Sequence, residues 1–113
     1  MLRINLEYRR GILFVRLDGD LVEETASEIS MKLTKIIEES GLKYVVYNMK
    51  KVEVIDSIGL EAINETCLAV SNNKGKTILC ELNNFLRRTI KASNLLYAYQ
   101  EIKNEGEVMT LIG

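Results

Sequence analysis

An α/β domain is the fold class this sequence predicts: a mixed sheet of about four to five strands, about four helices, and an antiparallel β-hairpin at the sheet edge. Three observations predict it. Residues 2–17 hold two strand-like patterns split by Arg10-Gly11. From Thr25 onward, segments with helical apolar spacing alternate with short apolar runs. One of those runs, Tyr44-Val45-Val46-Tyr47-Asn48-Met49, is nearly continuous in apolar residues, which suits a central strand covered by helices.

Each element has its own signal. Leu2, Ile4 and Leu6 alternate with Arg3, Asn5 and Glu7, the pattern of a half-buried strand. Arg10-Gly11 reads as a turn, and Ile12 to Leu17 as the second strand of a hairpin. Thr25-Ala26-Ser27-Glu28 fits a capping box, so a helix is expected to start at Thr25 with Ala26, Ile29, Leu33, Ile36 and Ile37 on one face. Ser40-Gly41 ends it. After Tyr44–Met49 the stretch Lys50-Lys51-Val52-Glu53-Val54-Ile55, β-branched at its end, leads as a strand into Asp56-Ser57. The next helix places Leu60, Ile63, Cys67 and Val70 inward and stops near Asn72-Asn73-Lys74-Gly75. Thr77 to Cys80 is a further strand. Asn83 or Asn84 caps a short helix with Phe85, Leu86 and Ile90 inward, and Ser93-Asn94 breaks it. Tyr97-Ala98-Tyr99 reads as a last short strand, and Asn104-Glu105-Gly106-Glu107 as a second capping box before Val108, Leu111 and Ile112. Helices between strands imply parallel pairing with right-handed crossovers.

The bulk numbers narrow the function. With 113 residues, one domain over positions 1–113 is expected. A net charge of −1 exerts no long-range pull on nucleic acid or an anionic membrane. Arg9-Arg10, Lys50-Lys51 and Arg87-Arg88 are isolated cationic spots and read as solvated edges. There is no His, which removes the commonest general base and metal ligand. Cys67 and Cys80 are too few for a zinc site and read as buried free thiols. The alternating amino-terminal segment is unlike a signal peptide, and no apolar run approaches a membrane span. A cytoplasmic protein without cofactors is the expectation.

Val54-Ile55-Asp56-Ser57-Ile58-Gly59-Leu60 is the most informative stretch. It places one hydroxyl where a strand hands over to a helix, the place α/β domains use for chemistry and where exposed N–H groups favour an anion. Catalysis lacks support: no His, no Ser-x-x-Lys and no Gly-x-Ser-x-Gly accompany Ser57, and phosphate-binding glycine motifs are absent. Plain N-capping by Asp56 or Ser57 and a functional serine are both open, and compatible, because an exposed cap hydroxyl is also one a kinase can reach.

These residues resemble the STAS domain family, the small bacterial anti-sigma factor antagonists. The family pattern is an apolar strand, then Asp-Ser-(Ser/Thr)-Gly-Leu-Gly and an apolar helix, and Val54 to Glu61 is similar to it. Leu17-Asp18-Gly19-Asp20-Leu21 with Thr25-Ala26, and Arg87-Arg88-Thr89-Ile90 with Ala92-Ser93-Asn94-Leu95, resemble two further family segments. The resemblance implies a STAS-like fold and a non-enzymatic regulator. It makes Ser57 the phosphorylation site for an anti-sigma factor with serine kinase activity, to be reset by a serine phosphatase. The unmodified form holds the anti-sigma factor, and the phosphorylated form releases it. The contact surface it implies comprises Asp20, Leu21, Val22 and Glu23 with Asp56, Ser57, Ile58, Gly59, Leu60 and Glu61.

The departures are specific. Ile58 stands at the family's second hydroxyl position, Glu61 at its second Gly, Val22 at its usual acid and Asn94 at its turn Gly. They leave two alternatives: a free-standing STAS module of a lipid-transport or stress-signalling complex, and a small-ligand or nucleotide sensor with a pocket between Asp20 and Ser57. The opening hairpin leaves an edge strand, so a monomer or a weak dimer is expected.

Overall fold

The hairpin around Arg10-Gly11 opens the chain. Arg10 (φ 53°) and Gly11 (φ 81°) both take positive φ, as the two-residue turn that matches strand twist requires. It joins β1 (Arg3–Arg9) to β2 (Ile12–Asp18) in antiparallel register, with Leu6 opposite Val15. In this computed structural model, which describes residues 1–96 and 98–112, the order continues α1 (Glu23–Ser40), β3 (Tyr44–Lys51), α2 (Ser57–Asn72), β4 (Lys76–Cys80), α3 (Asn84–Ser93), β5 (Tyr99–Ile102), a 3₁₀ turn (Glu105–Glu107) and α4 (Val108–Ile112).

The sheet order is β1-β2-β3-β4-β5, and every pair after the hairpin is parallel. The predicted mixed sheet with an antiparallel edge is therefore the observed one. Its two faces carry separate cores. Leu13, Val15 and Leu17 of β2, Val45, Tyr47 and Met49 of β3, and Leu79 of β4 pack against Ile29, Leu33 and Ile37 of α1, Leu60, Ile63, Cys67 and Val70 of α2, and Leu86 and Ile90 of α3. On the other face Ile12, Phe14, Val46, Ile78 and Cys80 meet Val108 of α4. A buried aliphatic side chain is worth roughly 1.5–3 kcal/mol, so the helix-covered face is the main source of stability.

Five local expectations are corrected. α1 starts at Glu23, ahead of Thr25, and Thr25 is the third helical residue. Its hydroxyl accepts from the Val22 N–H (3.1 Å) and donates to the Asp20 carbonyl (2.6 Å), so it caps from inside the first turn. Val52–Ile55 is not a strand. The Val52 N–H turns back to the Met49 carbonyl (3.1 Å), which peels the chain off the sheet after Lys51 and leaves one isolated bridge, Leu21–Ile55. Phe85 faces solvent at 54% exposure, because the inward stripe of this short helix is Leu86 and Ile90. Tyr99 begins the last strand where Tyr97 was predicted to, and Tyr97 itself lies outside the described residues. Glu107 takes the Lys103 N–H (2.6 Å), one residue earlier than a capping box would place it.

Other expectations match. Gly41 ends α1 in the left-handed region, Asn83 caps α3 by accepting from the Leu86 N–H (2.8 Å), and Asn94 (φ 55°) ends it. Cys67 and Cys80 are buried free thiols.

Candidate functional site

Two loops at the carboxyl ends of β2 and β3 build the site. They are joined by main-chain hydrogen bonds: Gly19 N–H to the Lys51 carbonyl (3.1 Å), Leu21 N–H to the Val54 carbonyl (2.9 Å), and Asp56 N–H to the Leu21 carbonyl (3.2 Å). Parallel strands deliver both loops to the same end of the sheet, and helices α1 and α2 then leave it side by side.

Asp56 ties the two helix starts together. Asp is a favoured N-cap because its carboxylate accepts N–H groups that the first helical turn leaves unpaired. Here one oxygen accepts from the Gly59 N–H of α2 (2.8 Å) and the other from the Glu23 N–H of α1 (3.0 Å). A single carboxylate thus serves the positive ends of two helix dipoles. Of the two capping candidates in the sequence, Asp56 takes the role, which leaves the Ser57 side chain unused for it.

Gly59 permits this closeness. A Cβ on Gly59 would lie 2.1 Å from the Leu21 carbonyl oxygen, a distance no side chain tolerates. The α2 backbone therefore rests directly on the β2–α1 loop. Deeper in, α2 is anchored to the sheet. Fully buried Tyr47 and Thr66 share a 2.5 Å hydrogen bond, and the Thr66 hydroxyl is committed to the Ile63 carbonyl (2.6 Å), so Tyr47 is the donor to Thr66. Burial holds the Tyr47 phenol far above its ordinary range, so it stays protonated in this role.

On this frame Ser57 is the first residue of α2 and is exposed. No hydrogen bond engages its hydroxyl among the described residues. Asp20, Glu23, Ile58 and Glu61 are exposed around the same end, and Val22 and Asp56 are half-buried. Leu21, Gly59 and Leu60 are buried and form the floor of the surface, so a partner cannot touch the Leu21 and Leu60 side chains. Between α1 and α2 runs a shallow groove of about 260 Å³ lined by Glu23, Ser27, Met31, Ile58, Glu61 and Glu65 among others, none of them cationic. Ser30 hydrogen-bonds Glu65 across it. Among the described residues no cluster of three or more His, Cys, Asp or Glu is placed to hold a metal ion, and no helix is long and apolar enough to cross a membrane.

A polar cluster on the opposite face escaped the sequence reading. Arg16 binds Glu105 through two nitrogens (2.9 and 2.8 Å) and Glu7 through a third (2.8 Å), and Asn48 donates to Glu105 (2.8 Å). Arg16 and Arg9 both stack over Phe14. The partners come from β1, β2, β3 and the 3₁₀ turn, so no local spacing signals them.

The comparisons agree with this architecture. The STAS domain family model matches residues 3–108. The chain belongs to the STAS domain family. An anti-sigma F factor antagonist of Paenibacillus polymyxa is 28% identical over 109 residues, spanning 96% of this chain and 93% of that protein. The anti-sigma factor antagonist SpoIIAA in its unphosphorylated form superposes with a TM-score of 0.77 at 19% identity, covering 97% of both chains. The Bacillus cell fate determinant SpoIIAA in its phosphorylated form gives 0.75 at 20% identity, covering 98% of this chain and 100% of that one. At these identities the structural likeness is one of fold.

Proposed function

We propose that this protein is an anti-sigma factor antagonist that switches partners through Ser57. Unmodified, it binds an anti-sigma factor with serine kinase activity; phosphorylated on Ser57, it lets go, and a serine phosphatase restores it. One observation carries the reading: Ser57 is an exposed hydroxyl without a hydrogen-bond partner among the described residues, on a preformed frame at the N-terminus of α2, because Asp56 has taken the capping role.

The physics of release follows from the surroundings. A phosphate brings about −1.5 to −2 charge at neutral pH. At a helix N-terminus it is compatible with the dipole, so the fold is retained. The site gains its charge among Asp20, Glu23, Asp56 and Glu61, with no cationic side chain lining the adjoining groove. Ile58 beside it supplies the apolar contact that the interface would pack. Docking would then have to strip water from the phosphate, at an effective cost of several kcal/mol. A partner carboxylate nearby would add roughly 4 kcal/mol at an effective dielectric near 20. Either effect weakens binding on the order of a hundredfold or more.

The test is incubation of the purified protein with its cognate kinase and ATP, followed by mass spectrometry. Stoichiometric phosphate on Ser57, absent in Ser57→Ala, supports the reading. A folded protein that the kinase binds yet leaves unmodified points instead to a STAS interaction module without a phosphoswitch, for which Ile58 and Glu61 would set the partner.

A further inference from the structure

The outer edge of the sheet offers a second interaction surface. β1 is paired with β2 on one side, and among the described residues no strand flanks its other side. Ile4, Leu6 and Tyr8 lie opposite Leu17, Val15 and Leu13 of β2, on the face that the helices cover. Ile4 packs partly against the core, but beyond it the outer strand is uncovered: Leu6 is 42% exposed and Tyr8 64%. Arg3, Asn5, Glu7 and Arg9 occupy the other face. An unpaired edge with an apolar stripe is a template for another strand.

We propose that the strand it accepts is β1 of a second copy of this chain, paired antiparallel about a twofold axis at Asn5. A twofold perpendicular to the sheet keeps each residue on its own face, so only a few registers exist. With the axis at Asn5, Arg3 faces Glu7 of the other copy and Ile4 faces Leu6, each pair occurring twice; Leu2 precedes the strand and stays buried in its own core. With the axis at Leu6, Arg3 faces Arg9 and the favourable charge pairs vanish. With the axis at Glu7, two carboxylates face each other. The Asn5 register alone among these matches opposite charges on one face and apolar side chains on the other, the pairings that stabilise adjacent strands.

The charges are available. Arg3 makes no ion pair within its own chain among the described residues, and Glu7, though paired with Arg16 (2.8 Å) and more loosely with Arg9 (3.7 Å), keeps 40% of its side chain exposed. The other sheet edge, β5, has four residues against seven in β1, which makes β1 the better template. So short a contact falls below the roughly 1,200 Å² of a standard interface, so the dimer is weak and rapidly reversible.

Sedimentation equilibrium across the micromolar to millimolar range tests it. The wild-type protein dimerises reversibly. Arg3→Glu and Glu7→Arg each lose about tenfold or more in self-affinity, because like charges then face each other twice. An equimolar mixture of the two variants recovers the dimer, since every facing pair is again opposite in sign. Circular dichroism of each variant establishes that it is folded. A wild-type protein that stays monomeric throughout, single variants that dimerise as well as wild type, or a mixture that stays monomeric would overturn the proposal.

Discussion

The Leu21 carbonyl oxygen occupies the space that a Cβ on Gly59 would need, 2.1 Å from its ideal position. This contact sets how closely α2 sits on the β2–α1 loop, and the same loop backbone receives the Asp56 N–H. Gly59→Ala must push the loop and helix apart. The expected cost is about 1–3 kcal/mol, the usual range for overpacking a rigid contact. Urea unfolding measures it, and amide chemical-shift changes should concentrate in residues 19–23 and 56–61.

Asp56 holds two helix starts at once, so its removal should exceed the effect of an ordinary cap. Asp56→Ala loses the acceptor for both the Gly59 and Glu23 N–H groups. A loss of about 2 kcal/mol, the upper end for a single cap, is expected in thermal or urea unfolding. Asp56→Asn retains one carbonyl acceptor and should fall between the two. Equal stability of all three proteins would show that the bridge between the helices carries no weight.

Acid should loosen the carboxyl-terminal turn. Hydrogen bonds from Arg16, and a weaker one from Asn48, hold the Glu105 carboxyl below its ordinary value of 4.5. Its folded value is depressed, so its contribution is present above the unfolded value and is lost as pH falls through the folded one. Arg16 is shifted upward, chiefly by its hydrogen bonds to Glu105 and then Glu7, and stays charged throughout that range. Stability measured against pH should therefore drop on the acid side of 4.5, and Glu105→Gln should flatten that limb while lowering the neutral plateau.

The two thiols should be silent while the protein is folded. Burial pushes Cys67 up to about 11 and Cys80 up to about 12, and the thiolate is the reactive form. Labelling with a thiol reagent at neutral pH should proceed only at the rate of global opening and accelerate with urea in step with unfolding. Fast labelling of either residue in the native protein would mean a local opening of α2 or β4.

Much of the site could be read from local chemistry. Asp56 and Ser57 are both favoured cap residues at the point where helical spacing begins, so the cap was legible there though not which of the two takes it, and the glycine of Arg10-Gly11 marks a hairpin turn. The start of α1 is not legible locally, because a hydroxyl at Thr25 fits a cap as well as it fits the third helical position; the choice depends on the distant Asp56 carboxylate. Val52–Ile55 has strand composition but no strand beside it, since β2 has already ended at Asp18. The Gly59–Leu21 contact and the Arg16–Glu105 pair join residues far apart in the chain, and periodicity carries no information about such meetings. Buried Leu21 and Leu60 sit in the expected surface segments because family pattern marks segments, whereas exposure is decided side chain by side chain.

The most direct measurement is titration of the cognate anti-sigma factor against unmodified and Ser57-phosphorylated protein, with circular dichroism on both forms. Matching spectra are expected, with binding weakened on the order of a hundredfold by the phosphate. Equal affinity of the two forms, with the fold intact, would contradict the switch at Ser57.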